Sequence, residues 1–155
     1  MMRRYDEAIV QERRALELHP EMIPAHEFLG QAYEQKGLFR EAIAAIEKAI
    51  ALSKQSPSYR AQLAHVHASS GNRAAAEKTL RELIREAEQR YVSPYELAIV
   101  CAALGKNDQA FAWLEKAFEE RTPRLLLFLN SDPRVDPLRS DPRFQDLLRR
   151  IGLPP

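Results

Sequence analysis

The side chains that could hold a metal or attack a substrate are few and scattered. The four histidines are His19, His26, His65 and His67. Ligation from a helix needs side chains on one face, three or four residues apart. His65 and His67 are two apart and fall on different faces, and His19 precedes Pro20 in a turn. The lone cysteine, Cys101, has no second thiol within a CxxC spacing and no adjacent cation to lower its pKa, which marks it as packing. There is no phosphate-cradling GxxxxGK[ST] or GxGxxG loop, no HExxH zinc helix and no GxSxG nucleophile turn. Glu82, Glu86 and Glu88 interleave with Arg81, Arg85 and Arg90, the pattern of a solvated helix face. These residues point away from an enzyme and call for no metal or cofactor.

Composition narrows the class further. The 155 residues carry a net charge of +1, with 45% hydrophobic and 29% charged residues, which suits a folded chain and excludes a disordered one. So even a balance lacks the basic footprint of a nucleic-acid binder. From Arg121 onward seven arginines meet four aspartates, yet the two alternate, so the aspartates can pair with or cap around the arginines. The N-terminus has no apolar signal segment, and Ala98–Leu104 is far short of the ~20 residues that span a bilayer. The expectation is a cytoplasmic protein that engages neither membrane nor nucleic acid.

Position in the chain says more than composition. Gly37, Gly71 and Gly105 recur every 34 residues, and so do Leu29, Leu63 and Leu97, each followed by Gly30, Ala64 or Ala98. Ala8, Ala42, Ala76 and Ala110 keep the same interval, with Ile46, Leu80 and Leu114 four residues beyond the last three. Apolar residues at i, i+3, i+4 and i+7 make each period two amphipathic helices. Phe28, Leu29, Ala32 and Tyr33 mark the first helix of one period, and Ala42, Ile43, Ile46, Ala49 and Ile50 the second. The glycines predict left-handed helix stops. Asn72, and Asn107 or Asp108, are placed to cap the helices that follow, and Ser56-Pro57 and Ser93-Pro94 read as capped starts, with Glu96 completing a capping box.

This period resembles the tetratricopeptide repeat, W-x2-L-G-x2-Y…A-x3-F…P. The best unit has His26-x2-Leu29-Gly30-x2-Tyr33 and Ala42-x3-Ile46, with His26 for the aromatic and Lys54 where proline is expected. The next units carry Arg60, Ala64 and His67, then Pro94, Ala98 and Cys101, in place of the aromatic, the glycine and the tyrosine. The resemblance covers about residues 4–121. It implies an all-α helix-turn-helix solenoid, a right-handed superhelix, divided into a half repeat at 4–20, repeats at 23–56, 57–90 and 91–122, and capping helices at 123–155.

The two ends depart from the pattern. Phase places Met1 where the first unit's helix A should be ending, so only helix B is expected, from about Arg4 to Leu18. Glu12 stands where other units have Ile46, Leu80 and Leu114, consistent either with no helix A to cover it or with ordinary degeneracy of the repeat. Six of the ten prolines lie from Pro123 onward, and Asp132-Pro133, Asp136-Pro137 and Asp141-Pro142 each offer a carboxylate cap and a first-turn proline. Short helices are expected near 123–130 and 133–139 and a longer one from Pro142 to Ile151, closing the end that a solenoid would otherwise expose. This ending also resembles the repeat-containing tails of bacterial multidomain regulators with winged-helix, kinase or cyclase domains, which implies a regulatory or accessory role detached from its effector.

The family resemblance puts the helix A residues on an inner wall. Glu27, Gln31, Glu34, Gln62, His65, Tyr95 and Ile99 are therefore the candidate partner groove, grading from polar to apolar, with Tyr95 and Ile99 equally suited to packing under the cap. The expected function is a non-catalytic scaffold that binds a protein or peptide segment there. The alternative is a homodimer formed through the uncovered N-terminal helix.

Overall fold

The apolar stripes fold as paired helices. The computed structural model describes residues 4–154, so Met1, which the phase puts near the end of a helix A, and Pro155 lie outside the described residues. Among those described are nine α-helices: α1 Tyr5–Leu18, α2 Ile23–Gln35, α3 Phe39–Leu52, α4 Pro57–Ser69, α5 Arg73–Glu86, α6 Pro94–Ala103, α7 Asn107–Glu119, α8 Pro123–Phe128 and α9 Pro142–Ile151. A 3-10 helix, Pro133–Leu138, separates the last two. Helices α2, α4 and α6 are the A helices, and each packs on the B helix that follows it, α3, α5 and α7. Contacts of α2 with α4 and of α4 with α6 make the A helices one wall, with α1 packed on α2. The chain is an all-α helix-turn-helix solenoid.

The recurring small residues account for the pairing. Ala42, Ala76 and Ala110 are fully buried, as are Ile46 and Leu114 one turn on. A Cβ built on Gly30 would lie 2.5 Å from Ile46 Cγ1, so α2 approaches α3 more closely than any side chain at that position allows. Gly37, Gly71 and Gly105 each have φ between 72° and 91°. Each also carries the reciprocal bonds that close a helix: Gly37 N–H donates to Glu34 O, and Leu38 N–H to Tyr33 O.

The caps differ in part from expectation. Asn72 accepts from Ala75 N–H as predicted, whereas Asn107 is already inside α7 and Lys106 takes the cap position with no side-chain bond. Ser56 and Ser93 occupy the cap positions of α4 and α6, but their hydroxyls do not cap, and the prolines that follow need no hydrogen-bond acceptor. Asp132 and Asp141 do cap, accepting from Arg134 and Arg143 N–H at 2.9 Å. Asp136 instead lies within the 3-10 helix and accepts from Arg139 Nε.

The terminal segment completes the core. Leu125, Leu129, Val135, Leu138, Phe144, Leu147 and Leu148 join α4–α7 in one apolar cluster, and each fully buried leucine contributes about 1.5–3 kcal/mol. Helix α9 is also fastened to α7 by its cations. Arg143 stacks 4.2 Å from the Phe111 ring and Arg150 4.6 Å from Phe118. Arg150 grips Glu115 with two bonds of 2.7 and 2.8 Å. The arginines of this segment are thus paired with carboxylates, some its own and some on the repeats it covers.

Candidate functional site

The A-helix wall carries an ionic network that the terminal segment completes. Helix α8 brings Arg124 over the wall, where Nη2 lies 2.8 Å from Glu27 Oε1 on α2 and Nη1 3.4 Å from Glu96 Oε1 on α6. One arginine thereby ties α2 to α6. The 3-10 helix delivers Arg134, which chelates Asp132 and lies 3.6 Å from Glu96 Oε2. Tyr95 hydroxyl donates to Asp132 Oδ2 at 2.9 Å. Glu96 is therefore turned to two guanidinium groups rather than to the start of its own helix, because a buried carboxylate gains more from cations than from a cap.

Burial and charge oppose one another here, and charge wins. Burial alone would raise the Asp132 carboxyl, but the charge and hydrogen bonds of Arg134 hold it below the usual carboxylate range. Burial also works against the Arg134 cation, which Glu96 and Asp132 nevertheless keep above its ordinary value. Burial and then the Asp132 charge push the Tyr95 hydroxyl up. This cluster is a structural clamp with every charge paired.

The predicted groove residues all lie on the A-helix wall, but most are covered. Glu27, Glu34, Gln62, His65, Tyr95 and Ile99 are buried, and Gln31 is half-buried. Neighbouring A helices cover the first four: Gln62 Nε2 donates to Glu27 O at 3.4 Å, while Glu34 Oε1 lies 2.5 Å from His65 Nδ1 and accepts from Ser69 Oγ at 3.0 Å. Tyr95 and Ile99 belong to the apolar cluster completed by the terminal segment. The wall acquires Arg124 and Arg134 from that segment, which helix-by-helix periodicity could not reveal.

Two adjoining recesses remain open. One, of about 270 Å³, is lined by Phe28, Gln31, Tyr95, Arg124, Phe128 and residues 131–134. The other, of about 340 Å³, lies between the 131–134 turn and one face each of α1 (Tyr5, Ala8, Glu12) and α2 (Phe28, Gln31, Ala32, Gln35), with Glu34 beside it. Phe28 and Phe128 are half exposed and flank the opening. Both were missed as site residues: Phe28 has the same apolar signal as its packed neighbours, and nothing in the stripe itself distinguishes it.

No group of three or more His, Cys, Asp or Glu side chains among the described residues is placed to hold a metal ion, and no helix there is long and apolar enough to cross a membrane. Cys101 is fully buried. Burial pushes its thiol up to about 11, outweighing the lowering effect of Lys106. The native protein should leave a thiol-specific disulfide reagent unreacted at pH 8 and release one equivalent of colour on unfolding in urea. Rapid reaction of the native protein would show that α6 opens locally.

A family model described as Anaphase-promoting complex, cyclosome, subunit 3 matches residues 35–117, more than half of the chain. A tetratricopeptide repeat model matches residues 2–57. No curated protein matches the chain. Tetratricopeptide repeats generally mediate protein–protein interaction and are typically non-catalytic. With the 34-residue register, the paired helices and these two matches together, the chain belongs to the tetratricopeptide repeat family.

Proposed function

We propose that the protein is a non-catalytic interaction scaffold that binds a protein or peptide segment along the open part of its inner wall. The observation that carries this is the pair of adjoining recesses bounded by two half-exposed phenylalanines, Phe28 and Phe128, on a wall whose α6 end is covered by the chain's own terminal segment. Aromatic anchors beside fixed polar groups are what a partner's side chains exploit, and a few such residues carry most of the affinity. Of the candidate groove residues, Gln31 lines both recesses, Glu34 one and Tyr95 the other. They supply hydrogen-bonding edges, while Glu27, Gln62, His65 and Ile99 hold the wall's shape from beneath.

Peptides selected from a random library against the intact protein test this. Phe28→Asp should weaken the selected peptides about tenfold or more, with far-ultraviolet circular dichroism unchanged, because the side chain is half exposed. Equal binding to both proteins would place the interaction surface elsewhere. Tyr95 is a poorer probe, since it is fully buried and its removal takes a hydrogen bond from Asp132 and disturbs the wall itself.

A further inference from the structure

The apolar core falls into two clusters that meet at α4. Ile9, Leu29, Tyr33, Ile46 and Ile50 join α1, α2 and α3 in the first, while the second runs from α4 through α7 into the terminal segment. Helix α4 serves both, with Val66 in the first and Ala61 and Ala64 in the second. It packs extensively on α3 and α6 and only narrowly on α2. What joins α2 to α4 is largely polar: Gln62 Nε2 donates to Glu27 O, and Glu34 meets His65 and Ser69. Parting an apolar interface exposes area to water, whereas hydrogen bonds can be exchanged for water at a smaller net cost. The α2–α4 seam is therefore the weak side of the inner wall, and the α3–α4 pair is the pivot about which it would open.

A cation from the second cluster spans this seam. Helix α8 is anchored in that cluster by the fully buried Leu125 and, just after the helix, Leu129. Its Arg124 reaches across to α2, where Glu27 Oε1 accepts from Nη2 at 2.8 Å and from Gln31 Nε2 at 3.3 Å. Phe28 follows Glu27 in α2, and Phe128 stands one turn beyond Arg124 in α8, on the same face. The bond that draws Arg124 to Glu27 thus also sets the separation of the two rings that flank the recesses. Glu27 itself lines neither recess.

We propose that the protein hinges between its two apolar clusters at the α2–α4 seam, and that the Arg124–Glu27 pair is a strap fixing the width of the recess mouth. The hinge and strap stand on the core and the ion pair alone; their effect on binding rests on the recesses being the partner surface. A partner wedged between Phe28 and Phe128 fits one width best, so strap and partner favour the same arrangement. Glu27 is then a positioning residue, acting on binding through Gln31, Phe28 and Arg124.

The test places nitroxide labels on the intact protein at Met22→Cys, the cap position of α2, and at Leu127→Cys on α8, both exposed, with buried Cys101 left native. Pulsed electron resonance should give one narrow distance. Glu27→Gln and Arg124→Met should each lengthen and broaden it, and the two together no further than either alone, since both remove one bond. Arg124→Lys, which keeps the cation, should restore most of the native distance, and circular dichroism confirms that each variant is folded. Library-selected peptides should bind Glu27→Gln about fivefold more weakly, the scale of one partly exposed ion pair. Unchanged distances in both single variants, or widening that adds in the double variant, overturn the strap, and unchanged peptide affinity overturns its control of the recess. If Phe28→Asp leaves the peptides bound, the recesses are not the partner surface, and the distances still decide the strap.

Discussion

Replacing Arg134 by Met should destabilise the protein by about 3–5 kcal/mol, the range for removing one partner of a buried ionic group. The guanidinium side chain is only 7% exposed and serves two carboxylates, Asp132 and Glu96, that are themselves buried. Its loss leaves Asp132 with the Tyr95 hydroxyl and Glu96 with the more distant Arg124. Adding Asp132→Asn and Glu96→Gln to Arg134→Met should recover much of the loss, because neutral side chains no longer need a cation. Urea unfolding followed by circular dichroism measures both steps, and a change under about 1 kcal/mol for the single substitution would show that the clamp is hydrated and weak. The same pair sets an acid limit. The Asp132 carboxyl titrates below its unfolded value of ~3.9, so its contribution is complete above that value and is lost as pH falls through the folded one. Arg134→Met should remove that acid-dependent step along with the stability.

The clamp is partly legible in the sequence. Asp132 followed by Pro133 signals a helix cap, and it does cap Arg134 N–H; nothing local signals that the same carboxylate also receives Tyr95 from 37 residues upstream. Glu96 shows the opposite case, since its capping-box spacing from Ser93 is sound locally and is overruled by Arg124 and Arg134. The solenoid itself was legible because its determinants repeat. Gly37, Gly71 and Gly105 satisfy one backbone requirement three times, and a requirement met at a constant interval stands out from composition. The inner wall was legible as a position and not as a surface. Tyr95 and Ile99 sit on the expected wall, but their cover comes from a segment outside the repeat, and an arginine that reaches back 97 residues to Glu27 leaves no periodic trace. Phe28 was hidden for a related reason: it belongs to a helical apolar stripe, and whether such a residue is core or contact depends on the helix next to it.

The close approach of α2 to α3 gives the second large effect, with a sign that helix propensity alone would get wrong. Gly30 lies inside α2, where alanine in an exposed helix would stabilise by about 1 kcal/mol. Here the new methyl would meet Ile46 Cγ1 at 2.5 Å and Cδ1 at 3.1 Å. Ile46 is fully buried in the α1–α4 core cluster, with Leu29, Tyr33 and Ala42 among its members. Gly30→Ala should therefore destabilise by about 1–3 kcal/mol, the usual range for overpacking. Ile46→Ala alone should lose about 2–5 kcal/mol through the cavity it leaves. Together they should cost less than their sum by at least about 1 kcal/mol, since the methyl added on α2 enters space vacated on α3. A double-mutant cycle in urea reads that coupling directly, and strict additivity would mean that the helices slide apart to admit the methyl. In that event the matched positions Ala64 and Ala98, which already carry the methyl that Gly30 lacks, become the guide: their B-helix partners Leu80 and Leu114 branch one carbon further from the backbone than Ile46 does. Gly30 with Ile46, and alanine with leucine, would then be two solutions to one spacing. Ile46→Leu should accordingly relieve Gly30→Ala where Ile46→Val, which keeps the branch at Cβ, does not.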